Sequence, residues 1–219
     1  MRGRRFSGRL NTKFNPFDDD YLSEIVRATA SAWDRMKKPP RGELEDAITF
    51  RLVGRIKNDP EFSKLPYDVA AQYWLLGLNG ERLGRLDIHF KHRHSRRDYF
   101  AFEAKRLRVQ YPGGKRSTEY PTYVGNAGMM AFLVEQYSKG LPAAGMLAYV
   151  MDGHTDKAWE GLAKRIEARR KTLQLVKSTS FAHSSLSNAI SGAPRAHLGE
   201  TEHSLTNGRI RILHLILPV

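Results

Sequence analysis

The sequence predicts an α/β fold in which a central mixed sheet is flanked by helices. Three observations carry this. Two segments with apolar residues at helical spacing come first, and three strand-like segments follow them. The first two of those strands meet at the turn dipeptide Asn79-Gly80. Residues 143–151 are continuously apolar, the pattern of a strand covered on both faces.

Each element has its own local reason. Asp18-Asp19-Asp20 opens the first helix with acids at the positive end of its dipole. Leu22, Ile25, Val26, Trp33 and Met36 follow at helical spacing, interrupted by Thr29, and Pro39-Pro40 stops the run. A second helix is predicted over about residues 42–57, with Leu44, Ile48, Leu52 and Ile56 on its buried stripe. Strands are expected over 70–78, 84–91 and 99–107, with residues 91–97 as the tip between the last two. Residues 112–116 read as a loop. Residues 124–137 read as a helix apolar on most faces, packed against the sheet. Thr155 or Asp156 caps a further helix that turns Trp159, Leu162, Ala163, Ile166 and Leu173 inward and a basic surface outward. Residues 177–208, rich in Ser, His, Gly and Asn, are expected to be irregular, and 209–217 to close the chain as a strand. Trp33, Trp74 and Trp159 read as packing residues.

The chain has 219 residues, enough for a proper core, and a formal net charge of +13. A surplus of this size points to a polyanionic partner, nucleic acid first. Residues 1–16 hold five Lys/Arg and no acid and read as a basic arm preceding a single domain over 17–219 with a C-terminal extension. The absence of cysteine excludes disulfides, thiolate zinc sites and cysteine nucleophiles, and fits a cytoplasmic location. No apolar run approaches the ~20 residues of a membrane span, and the basic N-terminus lacks the apolar core of a secretion signal. No Gly-x-x-x-x-Gly-Lys-Ser/Thr is present, so ATP hydrolysis is not expected in this chain.

The chemistry concentrates in two strands. Asp87 lies in Gly84-Arg-Leu-Asp-Ile-His-Phe, and Glu103-Ala-Lys105 in Tyr99-Phe-Ala-Phe-Glu-Ala-Lys. Fifteen residues separate Asp87 from Glu103, which suits a hairpin. Side chains alternate along a strand, so Leu86, Ile88 and Phe90 are expected on one face and Asp87 on the other, meeting Glu103 and Lys105. Two carboxylates can hold a hard divalent cation, and an ammonium beside them can position or polarise a water. Glu45, flanking the stripe of the second helix about 60° from its centre at ~100° per residue, is the favoured third carboxylate, with Glu43 the fallback. Between Lys91 and Arg116 there are nine Lys/Arg and two acids. Lys91, Arg93, Arg96, Arg97, Arg106, Lys115 and Arg116 are therefore the candidate phosphate contacts.

The order helix, three antiparallel strands, helix, strand, with Asp87 on the second strand and Glu103-Ala104-Lys105 on the third, resembles the PD-(D/E)XK nuclease superfamily, the restriction-endonuclease-like αβββαβ fold. The resemblance covers roughly residues 42–152. Leu86 stands where the family often has Pro. Tyr123-Val-Gly-Asn-Ala-Gly, Gly145-Met-Leu-Ala-Tyr-Val, Glu202-His-Ser and Ile212-Leu-His-Leu-Ile-Leu resemble nuclease domains of prokaryotic anti-phage defence or restriction systems. The resemblance implies metal-dependent hydrolysis of DNA, with RNA second. Asp87, Glu103 and the Ala104 carbonyl would ligate Mg²⁺ or Mn²⁺, and Glu45 would complete the shell directly or through water. Lys105 would orient or deprotonate the attacking water or stabilise developing charge, and a neighbouring cation and partial burial could lower its pKa. Such folds often dimerise, and Val219 ends near enough to the final strand for terminal pairing in a homodimer; a companion recognition or ATPase subunit is the other expected partner.

Other readings compete. A nucleic-acid-binding module could keep the fold without cutting. A protein-interaction subunit could use the same triad as a buried salt bridge. A zinc cluster of His89, His92 and His94 is disfavoured because the last two sit on the hairpin tip. His183, His203 and His214 read as surface or core-satisfied histidines, although His203 could reach the site from a loop.

Overall fold

The computed structural model describes residues 18–77, 79–93, 99–137, 140–206 and 208–219. The basic arm of residues 1–16, and with it His94, Arg96 and Arg97 of the hairpin tip, lies outside the described residues.

Helix α1 (Asp19–Asp34) is capped by Asp18, whose carboxylate accepts from the Tyr21 amide. Helix α2 (Glu45–Lys57) starts three residues later than its stripe suggested. Leu44 is extended and caps it, so its side chain projects into solvent instead of joining Ile48, Leu52 and Ile56 in the core. A short α3 (Pro60–Ser63) leads into the sheet.

The sheet has seven strands: β1 (Tyr67–Leu76), β2 (Arg82–His92), β3 (Tyr99–Leu107), β6 (Ala143–Val150), β7 (Ala182–His183), β8 (His197–Leu205) and β9 (Gly208–Pro218). A small separate hairpin, β4 (Val109–Gln110) with β5 (Arg116–Ser117), follows β3. The order is β1-β2-β3-β6-β9-β8-β7, with β3, β6 and β9 parallel and the remaining pairs antiparallel. Gly80 makes the expected turn between β1 and β2 at φ 82°, a conformation that costs a glycine little.

Two apolar layers sandwich this sheet. On one face α1, α2 and α3 pack Ile25, Trp33, Ile48, Leu52 and Phe62 onto Ile88, Phe90, Phe102, Leu147 and Leu215. On the other, α4 (Tyr120–Tyr123), α5 (Met129–Leu133) and α6 (Thr155–Ala168) pack onto Ala101, Met146, Ala148, Ile212 and Ile216. Every residue of β6 is buried, as its composition predicts. Among the described residues no helix is long and apolar enough to cross a membrane.

Four expectations need correction. The helix predicted over 124–137 is reduced to the short α5, and a separate turn, α4, ends just before that segment at Tyr123. Between them the chain turns at Gly128, where a Cβ would fall 2.2 Å from the Tyr123 carbonyl oxygen. The segment 177–208 contains the nine-residue strand β8, held between β7 and β9. Strand β9 has a neighbour on each side, so it offers no edge for pairing with a second copy. Trp33 is a packing residue, stacked on Tyr149 at 5.1 Å, but Trp74 is 44% exposed, with Arg82 over its ring at 4.6 Å.

Candidate active site

The site forms where strands β2 and β3 part. Their ladder runs from Lys91 opposite Tyr99 to Ile88 opposite Phe102 and stops there. Beyond it β3 stays paired to β6 on its other side, so its edge toward β2 is open. A buried strand edge carries backbone donors that need partners. Two carboxylates supply them: Asp87 Oδ2 accepts from the Ala104 amide at 2.8 Å, and Glu45 Oε2 from the Arg106 amide at 2.9 Å. These amides are two residues apart and face the same gap, the alternation of a strand expressed in its main chain.

Strand β1 is irregular at the same level. Gln72, beside Asp87, has φ 53°, in the left-handed region. The face alternation of β2 breaks here. Leu86 joins the layer of α5 and α6, while Ile88 and Phe90 join the layer of α1 and α2. The expectation that all three share one face is therefore wrong, although the convergence of Asp87, Glu103 and Lys105 holds.

Lys105 occupies the centre of the cluster. Its Nζ donates to the Ala104 carbonyl at 2.6 Å, to Glu103 Oε1 at 2.8 Å and to Glu45 Oε1 at 3.1 Å, and lies 3.8 Å from Asp87 Oδ2. Asp87, Glu103 and Lys105 are 5%, 7% and 8% exposed. Glu45 reaches Lys105. Glu43 instead pairs with Arg51, and its carbonyl accepts from Arg106 Nη1.

Three carboxylates share one ammonium in a water-poor site. Burial, with the neighbouring Asp87 charge, pushes Glu103 up to about 8 against the pull of Lys105. Burial and Asp87 also raise Glu45, again opposed by Lys105. Burial acts to lower Lys105, but Glu103, Glu45 and Asp87 together hold it above its ordinary value. The three carboxylates that face the ammonium outweigh the effect of burial.

As the side chains stand, the described residues contain no group of three or more His, Asp or Glu spaced to hold a metal ion. The donors are nonetheless of the kind a hard cation takes: carboxylates of Asp87, Glu103 and Glu45 and the carbonyl of Ala104. Glu103 Oε2 is buried without a hydrogen-bond partner, a spare acceptor inside the cluster. The residues present fit such an ion in donor chemistry, with the Lys105 ammonium now standing among them.

Gln72 is a site residue that the sequence does not single out. Gln72 Nε2 donates to Asp87 Oδ1 at 3.1 Å and to Asp46 Oδ1 at 3.3 Å, and Asp46 also lies 3.5 Å from Arg85. The available signal was the place of Gln72 across the first hairpin from Asp87, a polar residue where alternation alone gives no role.

The candidate phosphate contacts divide. Lys91 and Arg93 lie toward the hairpin tip, Arg93 paired with Asp68, at the end of β2 away from the cluster. Arg106 adjoins Glu45, and Lys115 and Arg116 belong to the loop and hairpin just beyond β3. His89 and His92 form no shared site. His89 is buried, stacked 4.2 Å from Tyr73, and burial pushes it down to about 4; His92 packs edge-on to Tyr67 at 5.4 Å. His203 is buried in β8, bonded to Thr201 and the Leu173 carbonyl, three strands from β3.

Compared with protein-family models, with curated proteins and with solved structures, the chain finds no match in any of the three.

Proposed function

We propose that this protein is a metal-dependent nuclease of restriction-endonuclease-like type that hydrolyses DNA phosphodiesters, in a prokaryotic defence or restriction setting. The observation that carries the reading is the meeting of Asp87, Glu103, Lys105 and Glu45 at one opened strand edge. Mg²⁺ or Mn²⁺, held by Asp87, Glu103, the Ala104 carbonyl and Glu45, would supply Lewis-acid polarisation of the phosphoryl group. Lys105 supplies a fixed positive charge where negative charge develops on the phosphoryl oxygens. Glu103, raised by burial, can take up a proton near neutral pH. Gln72 orients Asp87, and the Arg106 amide orients Glu45, so neither carboxylate must be ordered when substrate arrives.

A second reading has its own observation. Lys105 Nζ lies 2.8, 3.1 and 3.8 Å from Glu103, Glu45 and Asp87, as in a purely structural ion-pair network. In that reading the chain is a catalytically silent binding or interaction subunit. Cleavage of plasmid and single-stranded DNA with Mg²⁺, Mn²⁺ or EDTA separates the two. Metal-dependent cutting that disappears in Lys105→Ala supports the nuclease. No cutting with any metal, alongside salt-dependent DNA binding, supports the silent subunit.

A further inference from the structure

Beyond the acidic cluster, β3 runs into a cleft of about 460 Å³. It is lined by Arg41, Arg108, Arg116 and Lys157, with the hydroxyl residues Ser117 and Thr118 between them. Four cations therefore face one lining carboxylate, Asp152, and that carboxylate is committed: Arg108 Nε donates to both its oxygens at 2.8 and 3.0 Å, and Nη2 lies at 2.8 Å. Among the described residues, Arg41, Arg116 and Lys157 make no ion pair. The volume is that of a small-ligand site, and the charge is wrong for anything but an anion.

Both walls of the cleft issue from the acidic cluster. Arg41 lies two residues before Glu43, whose carbonyl is tied to Arg106 at 2.9 Å. Arg108 lies three residues after Lys105, about 10 Å at ~3.3 Å per residue. Its main chain is anchored to the small hairpin by the Arg108 amide bonding to the Thr118 carbonyl at 3.1 Å. At ~3.4 Å per nucleotide, a strand whose reacting phosphate sat at Lys105 would bring a phosphate to this cleft within about three nucleotides.

We infer that the Arg41, Arg108, Arg116 and Lys157 cleft is a phosphate subsite that anchors the nucleic-acid strand on one side of the bond to be cut, an inference that rests on the nuclease reading. The acidic cluster repels a polyanion, so binding must come from flanking cations, and among the described residues Arg41, Arg116 and Lys157 lie without an ion pair on this side. The subsite gives the strand a direction. Its phosphate is either a diester within the strand or a terminal monoester; both present the same oxygens to the guanidinium groups.

The test measures binding of short labelled DNA strands carrying a 5′-phosphate, a 3′-phosphate or neither, in EDTA over a range of salt. Arg116→Ala/Lys157→Ala removes two exposed cations. Arg55→Ala/Lys57→Ala, on the outer end of α2, removes the same charge elsewhere. The inference expects the first variant to bind about tenfold or more weaker and to flatten the slope of log affinity against log salt by about one to two, with the second near wild type. If one terminal phosphate tightens wild-type binding and the variant loses that gain, the ligand is a strand end. If all three strands weaken equally, it is an internal phosphate. Equal weakening in the two variants, or none in the first, overturns the subsite. Wild-type cutting that the first variant retains in full with unchanged binding sinks the subsite and spares the nuclease. Binding that depends on the cleft without cutting in any metal spares the subsite as an anion site and sinks the nuclease.

Discussion

Lys105 is the residue on which the two readings of the site differ. It holds Glu103, Glu45 and the Ala104 carbonyl by hydrogen bonds, and Asp87 by proximity. Lys105→Met keeps much of the stem and strands buried carboxylates, so in EDTA it should cost about 3–5 kcal/mol in urea unfolding. If the cluster is built for a divalent ion, Mg²⁺ should restore part of that loss; a structural network predicts no recovery. The meeting of Asp87, Glu103 and Lys105 was legible in the sequence because strand alternation is a local property. The company of Gln72 and Asp46 was not, because a left-handed φ at Gln72 leaves no mark in the side-chain pattern. Leu86 lies on the face opposite to the one alternation predicts, because the alternation of β2 breaks between it and Ile88.

At the scale of elements, β1 leaves regular strand geometry at Gln72, beside the place where β2 and β3 part. Gln72→Val puts a β-branched residue at φ 53° and removes both amide contacts. It should destabilise by roughly 2–3 kcal/mol and weaken activity further, measured on protein that remains folded. A second feature joins β8 and β9 to their helices. Because His203 Nδ1 lies 2.6 Å from a carbonyl, it must donate there, and this orders the rest. Tyr123 donates to His214 Nδ1, His214 Nε2 to Thr201, and Thr201 to His203 Nε2. Both rings are neutral in this chain, and burial pushes His203 down to about 4 and His214 to about 3. The unfolded chain takes up these protons near ~6.5 and the folded one only below that, so their stabilising contribution is whole above ~6.5 and lost as pH falls toward about 4. Acid unfolding should steepen by up to ~1.4 kcal/mol per pH unit per histidine, and His203→Gln, able to make the same two bonds, should flatten it. Strand β8 escaped the sequence reading because Gly199, Glu200, Glu202 and Ser204 have little strand preference; pairing on both sides overrides it. The continuous apolar run of β6 needed no such help.

For the whole molecule, the surplus of 13 positive charges is not spread evenly around the acidic cluster. Arg41, Arg108, Arg116 and Lys157 gather past the end of β3, while Trp74, Arg82 and Arg85 lie on the β1–β2 side. Charge and composition point to a polyanionic partner as an expectation but carry no information on where the charge gathers, and the exposure of Trp74 is not legible because its strand position is that of a packing residue. Binding to DNA should weaken steeply with salt, with log affinity linear in log salt at about 0.7 to 0.9 per phosphate neutralised, measured by anisotropy in EDTA. The most direct measurement of the central claim is plasmid and single-stranded DNA cleavage by the wild-type protein and a Lys105→Ala protein, each checked for folding, in Mg²⁺, Mn²⁺ and EDTA. The account predicts metal-dependent cutting by the wild type, none in EDTA, and a loss of at least about a hundredfold in the variant. Metal-supported cutting of equal rate by the folded variant, or no cutting by the wild type with either metal, would contradict it.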